Sequence, residues 1–277
     1  MLILYLTMEI IYRTIFSFSE GYNFRNRHVC GEFRDMIPKV DPLFYLDSLC
    51  KDGRVPGEIR SNKTIVDKAI AFGYVNILEW SDKKHIPRDI CDMAAHKGKL
   101  KVLQWARENG CLWDEYTCAN AIKNGHLEIL KWVRSQGCPW YEDTVCSVAA
   151  DNGHLEILKW LRANGCEWGR WVCSNAAFGG HLEVLQWVRA NGCEWGERVC
   201  SNAAFSGHLE VLQWARANGC EWDEKVCSNA AYKGHLQVLQ WARSQGCDWT
   251  KDTFYSAAYN GHVEVLNWLR DNGCPEN

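Results

Sequence analysis

The dipeptide Gly-His recurs along this chain with its histidine at His126, His154, His181, His208, His235 and His262, at an interval of 28 residues and then of 27 four times over. A fixed period of that length means one short supersecondary unit copied along the chain, which cannot bury its apolar face alone and must stack on its neighbours. Lys99 carries the same register one unit earlier. A second marker falls twelve residues after the first glycine, from Asn109-Gly110-Cys111 through Gln136-Gly137-Cys138 to Asn272-Gly273-Cys274.

Two glycines per unit predict two punctuated helices. In the segment His208 to Asn218, Leu209, Val211, Leu212, Trp214 and Ala215 fall at helical spacing, and Gly219 follows as a residue able to end the helix at positive φ. The preceding kind of segment, Asp223 to Lys233, opens on acids suited to a helix N-terminus and contains an Ala-Ala pair that permits close backbone packing. We term these helix B and helix A. At about 11 residues neither is long enough to be stable alone in water. The expectation is therefore an all-α helix-pair solenoid stabilised by stacking, with eight pairs from Thr64 to the C-terminus and a degenerate first pair, Ile65 to Lys83.

Composition agrees with a copied pattern: 15 cysteines, 15 tryptophans and 22 glycines against 6 prolines in 277 residues. With 31 basic and 34 acidic side chains and a net charge of -3, the chain has no positive surplus to neutralise phosphates. Neither nucleic acid nor an anionic membrane surface is an expected partner.

The run Ala-Ala-x-x-Gly-His-Leu-Glu-Val-Leu, as at Ala203 to Leu212, followed by x-x-Gly-Cys, resembles the ankyrin repeat, whose unit reads Ala-Ala-x-x-Gly-His-Leu-Glu-Ile-Val and then Gly-Ala-Asp. The resemblance implies an ankyrin-type array and a protein-binding role. Ankyrin units repeat at about 33 residues, so a 27-residue unit lacks some six residues where the family's β-hairpin would project, and a truncated turn is expected there. The family's Thr-Pro-Leu-His box is replaced by Arg-Val-Cys-Ser at Arg198 to Ser201 and by Lys-Val-Cys-Ser at Lys225 to Ser228. Short units with Gly-Cys-x-Trp are similar to divergent ankyrin arrays of large DNA viruses of protists and of some protists.

Eight tryptophans on helix B (Trp80, Trp105, Trp132, Trp160, Trp187, Trp214, Trp241, Trp268) stand where the ankyrin family has leucine, and core packing is expected of them rather than a ligand cage. Six more follow Gly-Cys (Trp113, Trp140, Trp168, Trp195, Trp222, Trp249) and are expected to cap the shortened turn. Cys166/Cys173, Cys193/Cys200 and Cys220/Cys227 share one spacing, but six intervening residues exceed the separation of a zinc knuckle, no Cys-x-x-Cys occurs, and Phe254 replaces one of the series. Buried apolar filler is the expected role, with no metal and no cofactor. An odd number of cysteines favours a reducing compartment, the cytoplasm, or a host's cytoplasm if the chain is viral. No Gly-x-x-x-x-Gly-Lys-Ser/Thr, Gly-x-Gly-x-x-Gly, His-Glu-x-x-His or Gly-x-Ser-x-Gly is present, and the repeated histidine keeps no nucleophile or carboxylate company, so an enzyme is not expected.

Positions that differ between units are free to face something other than the next repeat. One such set opens helix A and includes Tyr116, Trp171, Arg198 and Lys225; the other precedes Gly-His and includes Phe178, Phe205, Tyr232 and Tyr259. In the ankyrin family, helix A and the turn before it line the concave partner-binding surface, so the resemblance makes both sets the candidate interface. The four rings would stack as a ladder of the residue class that dominates binding hot spots, or would simply cover the neighbouring helix.

The N-terminal segment, residues 1–37, is apolar-rich, yet Glu9 and Arg13 interrupt a stretch shorter than the ~20 residues of a membrane span. Read from Glu9 with Ile10, Ile11, Ile15, Phe16 and Phe18, then Val29, Cys30 and Phe33, it is similar to an F-box without the opening Leu-Pro. That resemblance implies docking to the adaptor subunit of a cullin-RING ubiquitin ligase through Ile10, Ile11, Ile15, Phe16, Phe18, Val29 and Phe33. A hydrophobic cap closing the first repeat is the other reading. Residues 38–62 are expected to be a connecting helix and loop, and residues 63–277 the repeat array.

Overall fold

Among the described residues, every α-helix but Val75–Trp80 is followed within two residues by a glycine at positive φ, and the two glycines of a unit therefore set its architecture. The computed structural model describes residues 42–196 and 198–276. It divides at Thr117/Cys118 into two compact units. Among the described residues there are 17 α-helices and no strand. The segment that is similar to an F-box, from Ile10, Ile11, Ile15, Phe16 and Phe18 to Val29 and Phe33, lies outside the described residues.

In the first unit, α1 (Pro42–Lys51) precedes the pair formed by α2 (Lys63–Phe72) and α3 (Val75–Trp80). Asn62 caps α2 by accepting a hydrogen bond from the Ile65 amide at 3.0 Å. The N-terminus of α3 is satisfied from α1: Asp47 accepts from the Ile77 amide at 3.0 Å and from the Asn76 side chain at 2.7 Å. Leu46 beside it is fully buried, so α1 covers the first pair. A 3₁₀ turn, Lys83–His85, leads to α4 (Ile90–His96) and α5 (Leu100–Glu108), and α6 (Glu115–Lys123) begins where this unit ends.

The second unit continues with α7 (Leu127–Ser135), α8 (Glu142–Asp151), α9 (Leu155–Ala163), α10 (Val172–Phe178), α11 (Leu182–Ala190), α12 (Val199–Ser206), α13 (Leu209–Ala217), α14 (Lys225–Lys233), α15 (Leu236–Ser244), α16 (Lys251–Tyr259) and α17 (Val263–Asp271). From α8 onward the even-numbered members are A helices, each lying against the next A helix, and the odd-numbered ones are their B partners. In one pair, α12 buries Val199, Cys200, Ala203 and Ala204, and α13 buries Val211, Leu212 and Ala215. The alanines and cysteine let A helices approach closely, and each buried leucine adds about 1.5–3 kcal/mol that a nine-residue helix lacks by itself. Between pairs the chain runs from α13 to α14 through Asn218 to Glu224 without a strand, which is the truncated turn.

The repeated histidine fastens one pair to the last. Gly207 takes φ 80° to end α12, and the His208 amide bonds back to the Ala203 carbonyl at 2.9 Å, as at a left-handed helix end. One unit later, His235 Nε2–H donates to the Phe205 carbonyl at 3.2 Å. The same bond joins His154 to Lys123, His181 to Asp151 and His262 to Tyr232. A Cβ at Gly207 would lie 2.7 Å from the His235 ring, so the glycine is required by its φ and by this neighbour.

The helix-B tryptophans are not in the core. Val184, Leu185 and Val188 of α11 are buried, whereas Trp187 is half-buried and meets Trp168 edge to face, centroids 5.7 Å apart. Trp195/Trp214, Trp222/Trp241 and Trp249/Trp268 repeat the arrangement at 5.7–5.9 Å. A guanidinium from the preceding helix B covers each turn indole, Arg162 over Trp168 at 4.9 Å and Arg189 over Trp195 at 4.3 Å. The indole N–H that reaches a carbonyl belongs to the turn tryptophan, as when Trp168 donates to the Asn191 carbonyl at 2.9 Å. The cause is geometric: five apolar positions between Leu209 and Ala215 cover more of the helix circumference than the neighbouring pairs can bury, and the bulkiest is left at the edge.

Candidate protein-binding face

The two sets of differing residues sit at opposite ends of the A helices. Trp171 and Arg198 occupy the positions just before α10 and α12, and Lys225 is the first residue of α14. Phe178, Phe205, Tyr232 and Tyr259 fall in the last turns of α10, α12, α14 and α16. Each pair of positions, 171/178, 198/205 and 225/232, is seven residues apart. Seven residues is close to two helical turns, so both members lie on one helix face about 10 Å apart.

The aromatic end is a true stack. Phe178 and Phe205 are parallel with centroids 6.2 Å apart, and Phe205 and Tyr232 with centroids 6.0 Å apart. Their separation is that of adjacent A helices, and offset stacking of rings is favourable at this distance. Tyr259 does not join: it is 84% exposed and has no stacked partner among the described residues. Lys233 Nζ lies over the Phe205 ring at 4.6 Å and the Tyr232 ring at 5.6 Å, placing a cation on the ladder that its sequence position did not reveal. The carbonyls of Phe205 and Tyr232 are the ones that accept from His235 and His262, so the backbone carrying the rings is pinned to the next repeat. Burial holds the His235 imidazole below its ordinary pKa.

Between the two ends runs a polar row that sequence reasoning missed. Asn202 donates its side-chain N–H to the Ser174 carbonyl at 3.2 Å, and Asn229 to the Ser201 carbonyl at 3.1 Å. The signal was present as Ser-Asn repeated at 174–175, 201–202 and 228–229, but such repetition reads equally as packing. At the N-terminal end the side chains are more independent. Arg198 sits 5.7 Å from the Trp171 ring, and Lys225 pairs with Asp223 at 3.2 Å. Tyr116, 59% exposed, opens α6, where Asp114 accepts from its amide at 2.9 Å.

Chemically this face offers flat, half-exposed rings, amide dipoles and cations set beside the rings. Among the described residues no group of three or more His, Cys, Asp or Glu side chains is arranged to hold a metal, and no helix is long and apolar enough to cross a membrane. Cys173 on α10 meets Cys193, twenty residues on, with Sγ atoms 3.0 Å apart.

A family model described as ankyrin repeats (many copies) matches residues 146–189 and 227–270. No curated protein matches the chain. Among solved structures, the crystal structure of the human ASB11 ankyrin repeat domain is similar at 20% identity, covering 57% of this chain and 84% of that one with a TM-score of 0.46. Residues 146–189 and 227–270 are thus matched as ankyrin repeats, and such repeats indicate a protein-protein interaction module.

Proposed function

We propose that the helix-A face binds a protein partner, with Phe178, Phe205 and Tyr232 as its anchor and Trp171, Arg198 and Lys225 about two turns away as a second line of contact. Tyr259 follows the anchor in the last A helix, and Tyr116 is a candidate contact of the first unit by its place in the repeat. The observation that carries this is the parallel Phe178–Phe205–Tyr232 stack, half-exposed and held by histidine bonds to its backbone. Rigid aromatic groups bind at low entropic cost, and such groups dominate protein interfaces. The finer reading is a substrate-recognition subunit of an F-box type ubiquitin ligase, in which residues 9–36 dock the adaptor; the resemblance of Glu9 to Phe33 supports it. The other reading is a scaffold or sequestering ankyrin protein without a ubiquitin link, whose N-terminal segment is a cap. The similarity of the short units to arrays of large DNA viruses supports a place in a host's cytoplasm.

One affinity capture from cytosol, read by mass spectrometry, tests both levels with three proteins: the full chain, a chain beginning at Pro38, and the full chain with Phe205→Ala and Tyr232→Ala. Proteins bound through the ladder are retained by the first two and lost from the third, while the double variant melts within a few degrees of the parent. A large fall in melting temperature returns the rings to a packing role. Adaptor and cullin subunits recovered with the full chain and not with the Pro38 chain establish the ubiquitin-ligase reading, and their absence from both leaves the scaffold.

A further inference from the structure

Every repeat of the second unit but the last carries two cysteines twenty residues apart. Cys173 and Cys193 face each other with Sγ atoms 3.0 Å apart, about 1 Å longer than a disulfide bond. The same twenty-residue separation links Cys118 to Cys138, Cys146 to Cys166, Cys200 to Cys220 and Cys227 to Cys247, and the thiols of Cys118, Cys200 and Cys227 lie 3.9–4.0 Å from the carbonyl oxygens of their partners. Filler alone does not account for a register that places a helix-A cysteine twenty residues before a turn cysteine in five successive repeats and brings the sulfurs of one such pair to 3.0 Å. Where filler is all that is needed, the chain uses something else: Phe254 takes the helix-A position opposite Cys274.

The pairs are polarised in one direction. Cys173, Cys200 and Cys227 donate, and their own ionisation is pushed up by that bond and by burial. Cys193, Cys220 and Cys247 accept it, and the bond brings their ionisation below that of an ordinary thiol. Arg189 and Arg216, which bond to the carbonyls of Cys193 and Cys220, add positive charge beside them. Two cavities of about 500 Å³ lie between successive turns, and their walls include Cys193 in one and both Cys200 and Cys220 in the other. A small oxidant therefore has a route to sulfurs that are otherwise almost wholly covered.

We propose that these pairs are oxidisable dithiols: hydrogen peroxide entering from the turn face converts each to a disulfide that staples helix A to the end of helix B within one repeat. The turn cysteine attacks one peroxide oxygen as thiolate; an S–O bond forms, the O–O bond breaks, and the departing hydroxide takes up the proton that the thiol released on ionising and leaves as water. The helix-A sulfur then attacks the sulfenic sulfur, forming the S–S bond and breaking S–O, and its thiol proton leaves with the hydroxyl as a second water. Two thiols lose two electrons and the peroxide is reduced to two waters. Cys274, opposite Phe254, has no thiol in that position and is the internal control.

The test uses the full chain, reduced and then treated with hydrogen peroxide in steps, alkylated, and mapped by peptide mass spectrometry. The expected result is cross-linked peptides joining Cys173 to Cys193, Cys200 to Cys220 and Cys227 to Cys247, with thiols lost two at a time, reversal by dithiothreitol, a higher melting temperature in the oxidised form, and Cys274 still alkylated. Cys193→Ser is expected to leave Cys173 alkylatable and the other links intact. The proposal is overturned if cysteines twenty apart stay alkylatable at peroxide levels that oxidise Cys274, or if the links join Cys166 to Cys173 instead. Because the mapping is done on the unaltered chain, it decides the question even if the serine variant does not fold.

Discussion

Gly207 and Gly219 look alike in the sequence, each closing a helix of the same unit, and both take positive φ, 80° and 84°. Their surroundings differ. A Cβ at Gly207 would meet the His235 ring at 2.7 Å, whereas one at Gly219 would meet nothing within 4 Å. Alanine at Gly219 therefore pays only for its backbone conformation, about 1 kcal/mol, while alanine at Gly207 also displaces the ring that holds the Phe205 carbonyl and costs about 2–3 kcal/mol. Thermal melts of the two single variants compare them directly. Equal losses would mean that the histidine bond does not contribute to holding the pairs together. The period made both glycines legible, but only the fold shows which of them touches the next repeat.

At the scale of the helix, the tryptophans show where spacing stops being informative. Helical periodicity put Trp187 on the inner side of α11, yet burial there is completed by Val184, Leu185 and Val188, and Trp187 stands at the rim against Trp168. Trp187→Ala is therefore expected to cost about 1–3 kcal/mol, below the 3–5 of a fully enclosed indole. Because Trp168 also donates to the Asn191 carbonyl and lies under Arg162, the pair should be coupled. A double-mutant cycle of Trp168→Ala and Trp187→Ala followed by denaturant unfolding should give an interaction of about 0.5–1.5 kcal/mol. Strict additivity would show that the edge-to-face contact is incidental. The aromatic ladder is the converse case: its residues were visible as positions that vary, and the stack of three with Tyr259 outside it was not, because stacking depends on the distance between A helices.

For the array as a whole, each pair depends on its neighbours, so stability should vary along the stack. The second alanine of the Ala-Ala pair is buried in α10, α12 and α14 as Ala177, Ala204 and Ala231, but Ala258 of α16 is exposed, together with Tyr255 and Val263. The final pair is thus covered on one side only. Hydrogen exchange by mass spectrometry should find the amides of α17 exchanging about tenfold faster or more than those of α11. Uniform protection would indicate that the array opens as one cooperative body. The two compact units are each a stack of helix pairs, and the first is covered by α1 through Leu46 and Asp47. That role fell to the segment expected only to connect, since a side chain that caps a helix thirty residues later, as Asp47 does for Ile77, leaves no local pattern.

The sequence by itself determined the all-α class, the helix-pair unit, the eight pairs and the truncated turn, because period, glycine φ and helix length are local properties that repetition averages over many copies. It also determined which positions vary. Tertiary structure alone decided which sulfurs meet, which carbonyl each histidine holds, which tryptophans stay half-covered and which rings stack. Those outcomes depend on distances between residues twenty to thirty apart in the chain, and only the packing of one pair on the next sets such distances.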